Sequence, residues 1–198
     1  MPSDYDSIDL WSEIEGKLAI RKELPAYSLA AVNEADARWL RRTENSRDVE
    51  VALVDTLEQH STYFHRVIVQ AARCSTTPDL LRTLGDALEF PSYYGRNWDA
   101  LNKCLLELLT LTDDRLGSYF EDRVGRRAQS LVLTVDGAEH LLEEEPRNQF
   151  DTLLDVLRWV ASRPVDPLGR DLPRGQLFVL LRHGPTASRT RNVHSANV

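Results

Sequence analysis

Residues 91–105 of this chain read PSYYGRNWDALNKCL, and this stretch predicts a tight turn followed at once by a helix. Pro91 cannot continue a preceding helix, because its ring fixes φ and it has no backbone N–H. Gly95 gives the backbone freedom to turn, and Asn97 can accept a hydrogen bond from the first free amides of a helix. Asp99 then falls in the first turn, where the helix dipole favours a carboxylate. The stretch therefore predicts a capped helix that begins just after Asn97.

This helix is predicted to bury one side and expose the other. Its apolar residues recur at helical spacing and are Trp98, Leu101, Leu105 and Leu108. Its polar residues, next to the turn, are Asp99, Asn102 and Lys103, and the turn itself carries Tyr93 and Tyr94. Two interpretations remain open at this point. The segment is either an ordinary corner between two helices with packed tyrosines, or a polar face presented to a partner.

The full pattern P-x-Y-Y-G-x-N-x-D-A-L-x-x-C-L closely resembles the signature of the barstar family of ribonuclease inhibitors. A looser resemblance runs from about His65 to Arg182 and does not cover the residues before it. The resemblance implies an α/β fold with a small three-stranded parallel sheet flanked by helices. We expect residues 65–183 to form this barstar-like domain, after an N-terminal α+β extension of unknown role, residues 1–64. We expect residues 184–198 to be a disordered tail, because they lack periodicity.

The order of apolar segments agrees with this fold. Short apolar runs at 67–69, 131–135 and 177–181 alternate with helical patterns, among them a long one from about Arg147 to Ala161. Strands that alternate with helices predict neighbouring parallel strands in one sheet. Within the extension, the apolar side chains at 49–53 alternate with others, which predicts a half-buried strand packed on the domain.

In the barstar family, the turn tyrosine, the helix-start asparagine and several acids form the inhibitory surface. These acids lie along this helix and near the end of the long helix, and they occupy the phosphate-binding positions of a ribonuclease active site. Tyr93, Asn97 and Asp99 match this pattern. The partner-binding residues that we predict on this basis are Tyr93, Tyr94, Gly95, Asn97, Asp99, Asn102, Lys103 and Trp159.

Two positions depart from the family pattern. Lys103 stands where the family carries a critical acid, and it has two interpretations: a helix pair with Asp99, worth roughly 0.2–0.5 kcal/mol, or part of an altered interface. Trp159 stands where the long helix offers another acid, on the side opposite its apolar stripe. It either packs under the extension or the loop at 163–175, or anchors an interface, since interfaces are enriched in Trp and Tyr.

Composition excludes several other functions. A net charge of −7 over 198 residues argues against direct binding to nucleic acid, which needs a basic footprint. No run of 18 apolar residues predicts a membrane span, and the acidic N-terminus lacks the features of a signal peptide. Cys74 and Cys104 form neither a CxxC pair nor a disulfide framework. We therefore expect a reduced, cytoplasmic protein.

Signatures of enzymes are absent from the sequence. The five histidines have no metal-ligand spacing, and there is neither a phosphate-binding glycine loop nor a nucleophile elbow. We expect no catalysis, no metal and no cofactor. The predicted function is an immunity- or antitoxin-type inhibitor whose partner is a protein, a secreted ribonuclease toxin. The alternative is a barstar-like scaffold that binds a different protein partner.

Overall fold

The computed structural model describes residues 9–20, 30–32, 36–44, 47–120, 124–162 and 175–184. Within these residues the helices are α1 (Leu10–Ile20), α2 (Arg47–Gln59), α3 (Thr77–Ala87), α4 (Trp98–Leu109) and α5 (Arg147–Ser162). The strands are β1 (Ala30–Ala31), β2 (Leu40–Glu44), β3 (Phe64–Gln70), β4 (Arg115–Leu116), β5 (Arg126–Arg127), β6 (Ser130–Asp136) and β7 (Gln176–His183). Short 3₁₀ turns follow β3 and β6.

The three predicted strands lie side by side in one parallel sheet. β3 pairs with β6, and β6 pairs with β7, so that Val67, Leu133 and Val179 lie in one row across the sheet. The prediction succeeded because these strands read as nearly continuous apolar runs. In β6, every residue from Ser130 to Val135 is buried, as expected for a strand covered on both faces. The α/β fold class is confirmed.

The sheet is larger than the three strands read from the sequence. Its order is β1-β2-β7-β6-β3, and β2 pairs with β7 in parallel, with Leu40 opposite Val179. β1 adds an antiparallel strand at the far edge. Both additional strands come from residues before 64. The sheet therefore contains four parallel strands, one of which belongs to the predicted extension.

Helices cover the sheet on both faces. One face packs against α3, α4 and α5 in the larger apolar core. The other face packs against α1 and α2, whose buried side chains meet Phe64, Val132, Phe178 and Leu180. Trp11 of α1 meets Phe178 edge-on, with ring centroids 5.7 Å apart. The N-terminal residues thus supply the second layer of helices.

The predicted strand at 49–53 is wrong, because these residues form the first turns of α2. Val49, Ala52, Leu53 and Thr56 are buried, and their spacing is that of a helix face. Residues i and i+4 lie on the same side of both a helix and a strand. A segment of five residues was therefore too short to distinguish the helical period of 3.6 residues from the strand period of 2. The division at residues 64 and 183 stays a prediction, and residues 185–198 of the predicted tail lie outside the described residues.

Candidate protein-binding surface

The turn at 91–97 connects α3 to α4 and is held by Tyr94. The Tyr94 ring packs against Phe90, with centroids 4.9 Å apart, and its hydroxyl donates to the carbonyl of Leu81 at 3.2 Å. Burial raises the pKa of the Tyr94 phenol well above its usual range. On α3, Gly85 leaves room for the ring, since an added Cβ there would lie 2.6 Å from it. Tyr94 is therefore a partly buried anchor of the turn, and its predicted role in partner binding stays a prediction.

Gly95 is not the residue that adopts the left-handed backbone conformation in this turn. That residue is its neighbour Arg96, with φ of 50°. Asn97 then caps α4 as predicted, because its Oδ1 accepts from the backbone N–H of Ala100 at 2.8 Å. Asp99 lies exposed in the first turn of α4. The predicted turn, cap and helix are confirmed, whereas their role in binding stays a prediction.

Tyr93, Lys103 and Glu107 form a cluster on the outer side of α4. The Tyr93 hydroxyl donates to Glu107 Oε2 at 2.9 Å, and Lys103 Nζ lies 3.7 Å from Glu107 Oε1. Lys103 Nζ is also 5.8 Å from the centre of the Tyr93 ring, within cation–π range. The Lys103 side chain is 68% exposed and that of Glu107 only 17%. An incoming molecule would thus meet the ammonium group before the carboxylate.

This cluster changes the interpretation of Lys103. Among the described residues its ion pair is with Glu107, one turn after it, and not with Asp99, one turn before it. The interpretation as an Asp99 pair is therefore wrong. Glu107 was missed in the sequence because Asp99 was the only helix partner considered for Lys103. Its spacing of four residues from Lys103 was the available signal.

Asn102 and Trp98 lie on the side of α4 that turns towards α5. The Trp98 indole N–H donates to Gln149 Oε1 at 3.2 Å, which ties the start of α4 to the start of α5. Asn102 is partly buried, and its Oδ1 has no hydrogen-bond partner among the described residues. These contacts place the two helices side by side in one layer.

The exposed side of α5 carries one tryptophan in a polar stripe. The stripe consists of Asp151, Asp155, Trp159 and Ser162. Trp159 is 47% exposed, as the helical spacing predicts. Of the loop at 163–175 that was proposed to cover it, residues 163–174 lie outside the described residues. We refer to the 91–97 turn and the outward sides of α4 and α5 as the candidate face.

Other candidate sites in the described part of the chain are sparse. No group of three or more His, Cys, Asp or Glu side chains there is arranged to hold a metal ion. No helix among those residues is long and apolar enough to cross a membrane. A cavity of about 290 Å³ lies between β3, the end of α3, the end of α4 and the β4–β5 hairpin. Its lining is largely apolar and also includes Glu89 and Arg126, which form an ion pair with each other.

Comparisons with known proteins point to one family. No curated protein matches the sequence. One similar solved structure is that of the Aeropyrum pernix ORC2 protein in its ADP form, at 14% identity and a TM-score of 0.43. The likeness covers 71% of this chain but only 31% of that one, and it is too low to carry an argument.

The profile of the barstar (barnase inhibitor) family matches residues 64–170. This match spans more than half of the chain and includes the 91–97 turn, α4 and α5. The family consists of non-catalytic inhibitors that bind ribonucleases. The chain belongs to the barstar (barnase inhibitor) family.

Proposed function

We propose that this chain is a non-catalytic, cytoplasmic inhibitor of the immunity or antitoxin type, which occludes the active site of a ribonuclease toxin with the candidate face. One observation supports the proposal above others. In a member of an inhibitor family, Tyr93 and Trp159 are large aromatic side chains that are 58% and 47% exposed. Exposed aromatics of this kind are the usual energetic anchors of protein interfaces. Inhibition requires only steric occlusion and complementary contacts.

The charges on the candidate face favour a basic partner. The excess of acidic side chains that favours it lies on α5. Along the turn and α4 the formal charges alternate in sign and cancel, since Arg96 and Lys103 are matched by Asp99 and Glu107. On α5 the exposed side carries two acids, Asp151 and Asp155, one turn apart, against one base, Arg147, at the start of the helix. A partner that fits this face carries cationic groups opposite α5 and an apolar pocket for Trp159. Such charges mainly increase the association rate and the selectivity of binding.

Lys103 supports a second candidate function, a barstar-like scaffold that binds a different protein. An exposed ammonium at this position repels a cationic active site, and like charges in an interface cost several kcal/mol. Glu107 holds the ammonium in place from behind. The two candidates differ in the charge that the partner presents to Lys103, so this residue is the place to test them.

The test is a titration of barnase activity with the wild-type chain and with Lys103→Asp. We expect weak inhibition by the wild type and an improvement of at least about tenfold, or ~1.4 kcal/mol, in the variant, because attraction replaces repulsion. Lys103→Gln separates removal of the ammonium from addition of a carboxylate. Arg127→Asp, the same charge change on exposed β5, is the matched control and should alter nothing.

Salt dependence gives a second measure. The gain from Lys103→Asp should shrink at higher ionic strength, because a charge contact weakens as screening rises. Strong wild-type inhibition that is unaffected by Lys103→Asp would show that binding does not use this face. For the natural partner, proteins captured from the source cell by the wild type and lost with Trp159→Ala should be identified by mass spectrometry. A ribonuclease among them supports the first candidate, and another protein the second.

A further inference from the structure

Asp36 is a fully buried carboxylate in a part of the chain that precedes the family match. It lies in the turn before β2, and its side chain is 0% exposed. Its Oδ1 accepts from Arg158 Nε at 2.9 Å and from the Trp39 indole at 3.2 Å, and its Oδ2 accepts from Arg158 Nη2 at 2.9 Å. A buried carboxylate is tolerated only when it is paired and hydrogen-bonded in this way.

Arg158 belongs to α5, and each of its three guanidinium nitrogens is engaged. Nε and Nη2 grip Asp36 in a two-point fork, and Nη1 donates to Asp155 Oδ1 at 2.6 Å. The hydrogen bonds that Arg158 donates to Asp36 raise the pKa of the Arg158 guanidinium. A bidentate contact of this type fixes orientation as well as distance. Arg158 therefore ties the end of α5 to the turn before β2.

Trp159 lies between two fixed neighbours. Arg158 before it is held by Asp36, and Val160 after it is buried in the main core at 2% exposure. Successive side chains of a helix point about 100° apart. With one neighbour held in the core and the other in the Asp36 fork, the last turns of α5 are fixed against rotation. The outward direction of Trp159 is thereby set.

We propose that residues 36–44 position Trp159 for partner binding, through the Asp36–Arg158 contact. This inference rests on the proposed use of the candidate face, and it assigns a functional role to a segment that the family match does not include. Asp36 and Arg158 are positioning residues, since neither needs to touch the partner. The expected consequence of breaking the contact is a reoriented or mobile Trp159 in a chain that remains folded.

The test uses ¹⁹F NMR of the full chain labelled with 5-fluorotryptophan. The four tryptophans give four signals, and Trp159→Phe identifies the signal of Trp159. Asp36→Asn keeps the size of the side chain but removes its charge, and Arg158→Lys keeps the charge but removes the fork. Glu89→Gln, which removes the exposed carboxylate paired with Arg126, is the matched control.

We expect Asp36→Asn and Arg158→Lys to shift or broaden the Trp159 signal, with that of Trp39 also moving in the first variant. The signals of Trp11 and Trp98 should stay unchanged, which shows that the chain is still folded. A lower melting temperature alone does not support the proposal, because a purely structural contact gives the same result. An unmoved Trp159 signal in a folded variant overturns it. If Asp36→Asn fails to fold, Arg158→Lys decides.

Inhibition of barnase by the Lys103→Asp variant supplies the functional readout. Adding Asp36→Asn to that variant should weaken inhibition by about tenfold, the effect of losing one aromatic anchor, while adding Glu89→Gln should not. If the Lys103→Asp variant does not inhibit barnase, the expected tenfold gain at Lys103 fails, but the NMR experiment still decides the positioning of Trp159. If barnase is inhibited and Asp36→Asn leaves the inhibition unchanged, the positioning role is excluded.

Discussion

At the scale of single residues, Gly85 and Tyr94 form the contact that fixes the candidate turn. A Cβ at Gly85 would lie 2.6 and 2.8 Å from two ring carbons of Tyr94, whose hydroxyl is already bound to Leu81. Gly85→Ala should therefore destabilise the protein by about 1–3 kcal/mol, the usual cost of overpacking, despite the better helix propensity of alanine. Urea denaturation followed by circular dichroism measures this change.

Gly16 offers the matched control, because it also lies in a helix and a Cβ there meets nothing within 4 Å. Gly16→Ala should stabilise the protein by roughly 0.5–1 kcal/mol. In a Tyr94→Ala background the penalty of Gly85→Ala should disappear, since the ring is gone. A penalty that persists in this background would mean that Tyr94 is not the residue that requires a glycine.

At the scale of elements, the start of α4 has two proposed roles, because Asn97 caps the helix and is also a predicted partner-binding residue. Asn97 caps the helix through its Oδ1, so Asn97→Ala should cost about 1 kcal/mol in the free energy of unfolding. Asn97→Asp retains an oxygen acceptor and should leave stability nearly unchanged. Inhibition titrations then separate the two roles. If Asn97→Asp binds as the wild type does, Asn97 acts only as a cap, and its assignment to the interface is wrong.

Prediction from the sequence succeeded for elements with one dominant signal. The strand at 131–135 is apolar throughout because both of its faces are covered, and α4 begins at a recognisable cap. β2 was missed because only Leu40 and Thr43 are buried in it, so no apolar run marks it. β2 pairs with β7, which lies more than 130 residues later in the sequence. A local sequence pattern carries no information about such a distant partner. The same holds for the contact between Asp36 and Arg158, which lie 122 residues apart in the sequence.

At the scale of the whole molecule, the fold extends beyond the region that identifies the family. Residues 64–170 contain only two of the four parallel strands, β3 and β6, whereas β2 and β7 lie outside. α1 and α2, also outside, cover one face of the sheet. The N-terminal residues therefore complete the sheet with β2 and cover with α1 and α2 the face that the family region would leave exposed.

A fragment that starts at Ser61 tests this closure. It lacks α1, α2 and β2, so Phe64, Val132, Phe178 and Leu180 lose the layer that covers them. Exposing one large apolar side chain costs about 1.5–3 kcal/mol, and a domain is stable by only about 5–15 kcal/mol. We therefore expect the fragment to lose its cooperative thermal transition and to bind the dye ANS, which reports exposed apolar surface. Trp11→Ala in the full chain is the milder variant and should cost about 3–5 kcal/mol, as for other buried tryptophans, because the side chain is 1% exposed. A fragment that melts at the temperature of the full chain would instead make residues 1–60 an independent unit, and the barstar-like domain would then be stable without them.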